Sequence, residues 1–178
     1  LKSQGDEPLE SLFSATKVWT RSNGDSQIET SFDLWDVPRF DLFQIHNLLN
    51  WEEHLDALRQ LKSEGKIRYI GITTSHGRRH RDLEKIMETE ALDFVQLTYN
   101  MQYRDVEQRL LPLAKDKDIA VIANRPLDGG RLFDRYGDAP LPEWASEIGC
   151  ENWAQFFLKY VVSHPAMTCA IPATSQLV

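Results

Sequence analysis

The sequence is poor in the features that mark secreted, membrane-spanning and disulfide-bonded proteins. Among 178 residues there are only two cysteines, Cys150 and Cys169, and they are isolated, without Cys-x-x-Cys spacing. No apolar run approaches the roughly 20 residues of a membrane span, and the N-terminal stretch LKSQGDEPLE lacks the apolar segment of a signal peptide. We therefore expect reduced cysteines, no membrane association and a cytoplasmic location.

Positive charge is also scarce. The formal net charge is −7 and the isoelectric point is about 5.2, which does not suit binding to a phosphate backbone and argues against nucleic acid as a partner. Hydrophobic residues make up 42% of the chain, enough for one domain with a sizeable core.

Short apolar runs of β-type recur along the chain at nearly regular intervals. Most are apolar at almost every position, which is typical of parallel strands buried on both faces. The intervals between them suit a helix with its two loops. The runs are Leu12–Thr16, Phe40–Ile45, Ile67–Ile72, Leu92–Leu97, Ile119–Ala123 and Met167–Ile171.

Helical spacing of apolar residues fills most of the intervals, and it predicts helices within 51–66, 80–90, 106–118 and 151–164. The interval from Asn124 to Met167 is longer and contains Gly129, Gly130 and several prolines. It predicts a long loop at the C-terminal end of a strand, where α/β folds bind their ligands.

The number of strands bears on the architecture. A closed (β/α)₈ barrel needs eight strands and typically about 250 residues, whereas six strands are predicted here. An open doubly wound sheet is the alternative, but the Gly-rich GxGxxG turn that usually marks it is absent. We therefore predict an α/β fold, an incomplete (β/α)₈ TIM barrel of about six β/α units, in a single domain over residues 1–178.

Polar residues follow the predicted strands, at the positions that converge on one mouth of a barrel. They include no pair of carboxylates of the glycosidase kind and no cluster with metal-ligand spacing, so we predict no metal site. The set favours proton delivery and cofactor binding over hydrolysis. Its members are Thr16, Lys17, Gln44, His46, Asn47, Thr73, Thr74, Gln96, Asn124, Arg125, Thr174 and Ser175.

Five segments, TKVW, DLFQIHN, GKIRYIGIT, DFVQLTYN and IPATS, resemble successive strand-end motifs of the aldo-keto reductases. The resemblance runs from Leu12 to Ser175, and the chain looks similar to a bacterial branch of that superfamily. It implies a (β/α)₈ barrel whose third to eighth strands are present here, with its N-terminal units and C-terminal helix missing. It also implies reduction of an aldehyde or ketone to an alcohol by hydride transfer from NADP(H), with NAD(H) as the alternative cofactor.

The resemblance implies catalytic roles for two residues. In the family a tyrosine donates a proton, a lysine lowers the pKa of that tyrosine, a histidine orients the carbonyl group and an aspartate pairs with the lysine. Lys17 matches the lysine and His46 matches the histidine. An ammonium beside a phenol, whose pKa is ordinarily about 10, makes it a better acid near neutral pH. Trp19 and Trp51 follow closely and are expected either to line the substrate site or to pack at its rim.

Cofactor contacts are implied by position as well. Thr73 and Thr74 match the Ser-Asn pair that holds the nicotinamide carboxamide, although Thr74 lacks the amide, and Gln96 matches a glutamine that completes this contact. Asn124 stands where many members have a tyrosine stacked on the nicotinamide. The loop over the pyrophosphate and the segment that binds the adenosine phosphate are matched by Arg125, Pro126, Leu127, Gly129, Gly130, Thr174 and Ser175.

No residue before Lys17 matches the family's tyrosine or aspartate, because all five tyrosines lie in other units. Two further hypotheses therefore stay open, namely a non-catalytic nicotinamide-binding module of the same fold and an inactive piece of a longer enzyme. His76 and His80 lie among arginines and are interpreted as part of a solvated basic face. The remaining tryptophans are expected in the core, and they are Trp35, Trp144 and Trp153.

Overall fold

The computed structural model describes residues 12–173. The chain divides into two compact units, one ending at Ile70 and the other beginning at Gly71. Both contain parallel strands that alternate with helices along the chain, which confirms the predicted α/β class. The prediction of one domain over residues 1–178 stays a prediction.

The first unit contains two β/α repeats. Its elements are β1 (Ala15–Val18), α1 (Asp25–Trp35), β2 (Phe40–Ile45) and α2 (Trp51–Ser63). The strands are parallel, and Lys17 lies opposite Gln44 across the pair. β2 has the predicted bounds, whereas β1 begins at Ala15 rather than at Leu12.

The core of the first unit forms where the helices cover the strands. Phe32 of α1 packs against Phe40, with ring centroids 4.9 Å apart, and against Phe43 at 6.4 Å. Leu55 and Leu58 of α2 are fully buried, as the predicted apolar stripe requires. The prediction that Trp35 lies in the core is wrong, because this last residue of α1 is 42% exposed and covers only the edge of Phe40.

The second unit continues the same alternation. Strand β3 begins in the first unit and ends in the second, and β3 to β6 are parallel in the order β3-β4-β5-β6. The elements are β3 (Ile67–Thr73), α3 (His80–Thr89), β4 (Phe94–Thr98), α4 (Leu110–Asp116), β5 (Ala120–Asn124), α5 (Arg131–Tyr136), α6 (Trp153–Val162) and β6 (Cys169–Ile171).

The interval between β5 and α6 is not the featureless loop that its glycines and prolines predict. It contains α5 and two 3₁₀ turns, at Asp128–Gly130 and Glu143–Ile148. The short α5 is stabilised by tertiary contact, since Phe133 packs on Phe157 of α6 with ring centroids 5.6 Å apart. Trp144 is 51% exposed, so its predicted core position is also wrong.

Gly24, immediately before α1, is expected to resist substitution. Its φ is +90°, and an added Cβ would lie 3.0 Å from the His54 ring and 3.1 Å from Val18. We expect Gly24→Ala to lower the free energy of unfolding by about 2–3 kcal/mol, measured by urea denaturation, because it adds a clash to an unfavourable backbone conformation. Gly65 (φ +74°) has no atom within 4 Å of an added Cβ, so Gly65→Ala controls for backbone conformation alone. An equal decrease in the free energy of unfolding in Gly24→Ala and Gly65→Ala would contradict this explanation.

None of the helices within residues 12–173 has both the length and the apolar character needed to cross a membrane.

Candidate active site and cofactor loop

Lys17 and His46 lie where the two strands of the first unit end. Lys17 is the penultimate residue of β1, and His46 directly follows β2. Burial lowers the pKa of Lys17, and burial together with the nearby Lys17 ammonium lowers the pKa of His46. Lys17 lies opposite Gln44 in the register of the two strands, and His46 follows Gln44 by two residues, so the structure brings the two predicted residues to neighbouring strand ends. A neutral imidazole in this position can donate a hydrogen bond to a carbonyl oxygen.

The loop that follows His46 is held in an uncommon backbone conformation. Asn47, Leu48 and Asn50 all have positive φ, at 53°, 54° and 48°. Positive φ is unfavourable for residues other than glycine, above all for a bulky one such as leucine, and such strain persists only where the surrounding structure enforces it. The loop after His46 is therefore a fixed feature of the first unit.

His54 contacts this loop from α2. It is fully buried on α2, with Nδ1 3.0 Å from the Leu49 carbonyl oxygen and Nε2 3.0 Å from the Ser22 carbonyl oxygen. One imidazole thus links the loop after β1 to the loop after β2. His54 is not among the predicted site residues, although a histidine on the apolar face of α2 beside Leu55 was an available signal.

The two tryptophans predicted to line the substrate site differ in their surroundings. Trp19 is 60% exposed, and its ring meets the His46 ring edge-on with centroids 5.5 Å apart. Trp51 is half-buried as the first residue of α2. The structure brings Trp19 to the candidate site, and the substrate role of both residues stays a prediction.

In the second unit a hydrogen-bond network links the ends of three strands. Thr98 Oγ1 donates to Asn124 Oδ1 at 2.6 Å and accepts from the His76 backbone amide at 2.9 Å. Asn124 Nδ2 donates to the Thr74 carbonyl oxygen at 2.7 Å. Because both ends of the Asn124 amide are engaged, this side chain links β3, β4 and β5, and its predicted contact with a nicotinamide stays a prediction.

The other predicted carboxamide-binding residues lie beside this network. Thr73, Thr74 and Gln96 are all buried, and the Thr74 amide donates to the Gln96 carbonyl oxygen at 2.9 Å. Within residues 12–173, Thr74 Oγ1 has no hydrogen-bond partner. A buried hydroxyl without a partner is unfavourable and calls for an explanation.

The predicted pyrophosphate loop is a strained, cationic turn after β5. The buried Asp128 carboxylate binds the Arg131 guanidinium at 2.8 Å and lies 3.8 Å from that of Arg125. Arg125 and Asp128 have φ of 51°, and an added Cβ at Gly130 would meet no atom within 4 Å. Two arginines beside open backbone fit a phosphate group. Pro126, Leu127 and Gly129 complete the turn, and Thr174 and Ser175 lie outside the described residues.

The histidines of the predicted basic face differ from each other. His76 is exposed, and the Arg125 charge lowers its pKa. His80 is half-buried at the start of α3, so the interpretation as a solvated face is wrong for this residue. Across residues 12–173, no three His, Cys, Asp or Glu side chains are grouped as metal ligands.

Glu107, which the sequence analysis missed, accepts hydrogen bonds from Tyr99 at 2.7 Å and Tyr160 at 2.9 Å and is paired with Arg104. These contacts, led by the bond from Arg104, hold the pKa of Glu107 at about 2. The ionised carboxylate therefore contributes stability above about pH 4.3, the ordinary value, and the contribution is lost as the pH falls toward 2.

We expect Glu107→Gln to lower the free energy of unfolding by about 1–2 kcal/mol at pH 7. The difference from the unsubstituted chain should shrink steadily in urea denaturation curves taken toward pH 2. The exposed Glu147 provides a matched control, because Glu147→Gln should change stability by less than about 0.5 kcal/mol. A difference for Glu107→Gln that is independent of pH would contradict the ionic role of this carboxylate.

A family model described as the aldo/keto reductase family matches residues 1–177. The chain belongs to this family. Reductase dtxS3 of Metarhizium robertsii is 32% identical over 116 residues, which cover 62% of this chain and 31% of the relative. The NADH-specific methylglyoxal reductase of Escherichia coli is 39% identical over 80 residues, covering 45% of this chain and 24% of that protein.

Solved aldo-keto reductases confirm the predicted fold class. An aldo-keto reductase from Bacillus halodurans superposes with a TM-score of 0.75 at 22% identity, covering 94% of this chain and 63% of that one. An aldo-keto reductase from Klebsiella pneumoniae, solved with NADP and acetate, has a TM-score of 0.75 at 24% identity. The match covers 93% of this chain and 60% of the Klebsiella chain. The fold is thus that of a (β/α)₈ barrel family, and the chain spans less than two thirds of the length of these relatives.

Proposed function

We propose that the protein to which this chain belongs reduces a small aldehyde or ketone to an alcohol with NADP(H), and that Lys17 and His46 act at the carbonyl group. The observation that carries the proposal is the pair itself. Two partly buried nitrogen groups lie at the ends of paired parallel strands, with Lys17 opposite Gln44 and His46 two residues beyond Gln44. Burial together with the Lys17 charge lowers the pKa of His46. Membership of an oxidoreductase family supplies the reaction class.

Two residues of this chain supply part of the polar chemistry of this reaction. The imidazole of His46 donates a hydrogen bond to the carbonyl oxygen, where negative charge develops. The Lys17 ammonium stabilises the same charge and lowers the pKa of a phenol that donates the proton. The Trp19 ring beside His46 excludes water from one side of the bound carbonyl compound. The nicotinamide, when bound, supplies the hydride.

The second unit offers the groups that would hold this cofactor. Arg125 and Arg131 are suited to phosphate oxygens, and the backbone at Gly130 is open to close approach. Thr74 has a buried hydroxyl near Gln96 that no residue among 12–173 satisfies, which is suited to an amide. The relatives support both NADP and NADH, since one was solved with NADP and another is named for NADH.

Titration of the intact protein with NADPH and with NADH tests the proposal, followed by NADPH oxidation in the presence of methylglyoxal. We expect NADPH binding and aldehyde-dependent oxidation. Arg131→Leu should weaken NADPH binding about tenfold through loss of a charged hydrogen bond, whereas Arg81→Leu, an exposed arginine of α3, should not. Binding without turnover would favour the non-catalytic module, and absence of nicotinamide binding would overturn the proposal.

A further inference from the structure

Arg125 begins the loop after β5 in a backbone conformation that its sequence disfavours. Its φ is +51°, in the left-handed region that few residues other than glycine adopt. The next residue is Pro126, and a residue before proline normally has an extended backbone with negative φ. Two local preferences are therefore overridden at one position. Such strain persists only where contacts from elsewhere in the fold enforce it.

Asn100, in the loop after β4, supplies such a contact. It is fully buried, and its Nδ2 donates a hydrogen bond of 2.9 Å to the Arg125 carbonyl oxygen. The same oxygen accepts a hydrogen bond of 2.9 Å from the Asp128 backbone amide. The Arg125 carbonyl is thus held from two sides, by a local bond and by a side chain 25 residues away in the chain.

The Asn100 amide is itself held in place. Its Oδ1 accepts hydrogen bonds from the backbone amides of Gln102 and Tyr103, both at 2.9 Å. An asparagine that accepts from the amide two residues further on forms an Asx turn, and this turn, residues 100–103, is here called the bracing turn. Because the acceptor end of the amide is fixed by these bonds, its donor end is directed at Arg125.

The bracing turn also contacts the chain beyond Arg125. The Tyr103 hydroxyl lies 3.5 Å from the Arg131 guanidinium, and Gln102 Oε1 accepts a hydrogen bond from Arg135 of α5 at 2.7 Å. Together with the bond to Arg125, these contacts fall at the start, in the middle and at the end of one segment. The bracing turn therefore supports the whole segment and not only its first residue.

The shape of this segment determines how its cationic groups are presented. The Arg131 guanidinium is held by the Asp128 carboxylate through bonds of 2.9 and 2.8 Å. The Arg125 guanidinium lies against Gly129, where an added Cβ would be 2.9 Å from its Nη2, while the backbone at Gly130 is open. A ligand that first had to order these groups would bind more weakly, because ordering a loop costs free energy.

We propose that Asn100 is a positioning residue of the phosphate site, which keeps Arg125 and the turn after it in the binding conformation before the ligand arrives. It acts through the Arg125 carbonyl and makes no contact with the ligand itself. That the natural ligand is the pyrophosphate of a nicotinamide cofactor rests on the proposed function. Inorganic pyrophosphate and backbone hydrogen exchange test the inference without nicotinamide or turnover.

Asn100→Ser separates the bond to Arg125 from the bracing turn. A serine hydroxyl still accepts from the amide two residues further on, but it is too short to reach the Arg125 carbonyl. We expect the affinity for pyrophosphate, followed by NMR through the Gly130 amide signal, to fall about tenfold. Without ligand, the Asp128 amide should exchange with solvent about tenfold faster, because the turn opens more often.

The cofactor gives a second readout that a general loss of stability would not produce. In Asn100→Ser the KM for NADPH should rise about tenfold, while kcat for methylglyoxal stays within about twofold, because the lost binding is common to the ground state and the transition state. Gln102→Ala removes only the contact with Arg135 at an exposed position. It should weaken pyrophosphate binding by about two- to threefold without unfolding the chain.

Glu107→Gln is the matched control. Glu107 lies in the same connection between β4 and α4, but its hydrogen bonds join it to Tyr99, Tyr160 and Arg104. Its replacement should lower the stability of the chain and leave both the pyrophosphate affinity and the exchange of the Asp128 amide unchanged.

The outcomes separate this inference from the proposed function. Unchanged pyrophosphate affinity or unchanged Asp128 exchange in Asn100→Ser, equal changes in Glu107→Gln, or no pyrophosphate binding by the unsubstituted protein would overturn the role of Asn100. Should Asn100→Ser not fold, unchanged affinity in Gln102→Ala would overturn it. If the pyrophosphate and exchange effects occur but methylglyoxal is not reduced, Asn100 keeps its role and the proposed reaction fails instead.

Discussion

Replacing Lys17 with methionine is expected to lower kcat/KM for methylglyoxal reduction by at least about 100-fold. Methionine keeps much of the length of the side chain but removes the charge that stabilises the developing oxyanion and lowers the pKa of the proton donor. NADPH affinity, measured by fluorescence titration, should stay within about twofold, since the loss concerns only the reacting carbonyl.

The pH profile gives this prediction a second readout. Burial lowers the pKa of Lys17, so its ammonium is lost at a lower pH than that of an ordinary lysine. The activity that depends on it should therefore fall on the alkaline side, and this limb should be absent in Lys17→Met. Lys66→Met is the control, because Lys66 is an exposed lysine paired with Glu64. Unchanged turnover in Lys17→Met, or equal losses in both variants, would remove Lys17 from the reaction.

Replacing Asn124 with leucine is expected to lower the free energy of unfolding by about 2–5 kcal/mol. The Asn124 amide satisfies both the Thr98 hydroxyl and the Thr74 carbonyl oxygen, and each partner would be left buried and unsatisfied. Urea denaturation monitored by circular dichroism measures the loss. Gln108→Leu, at an exposed position, should change stability by less than about 0.5 kcal/mol.

The same variant separates the two roles of Asn124. If the residue links strands, the loss of stability appears without any cofactor present. If it contacts the nicotinamide instead, Asn124→Leu should leave the apoprotein as stable as before and weaken NADPH binding directly. The second result would restore the cofactor contact that the family resemblance implies.

Strands were the most predictable part of the fold, because strands buried on both faces are apolar at nearly every position. β2 has the bounds that its sequence predicts, and the other strands differ by a few residues at their ends. Two helices could not be predicted. α1 buries a single residue, Ile28, so its sequence has little periodicity, and α5 depends on Phe157 of a later helix. The exposure of Trp144 could not be predicted either, because it depends on which distant elements pack against this residue.

In the candidate site, position along the chain predicted where Lys17 and His46 lie. It did not predict the residues that hold the surrounding loops, such as His54. A strand-end residue can be located from an apolar run, and family motifs then give it a role. The hydrogen bond from His54 reaches Ser22, 32 residues earlier in the chain, and no local pattern encodes such a contact. Gln44 stands among the polar residues at the predicted strand ends, but its position opposite Lys17 is given only by the register of the two strands.

Transfer of deuterium tests the central claim most directly. The intact protein would be incubated with methylglyoxal and with NADPH that carries deuterium at the reactive position of the nicotinamide, and the alcohol would be analysed by mass spectrometry. The account predicts one deuterium on the former carbonyl carbon, with formation of this product reduced at least about 100-fold in Lys17→Met. Bound NADPH with no deuterium in any alcohol product, or equal transfer in Lys17→Met, would contradict it.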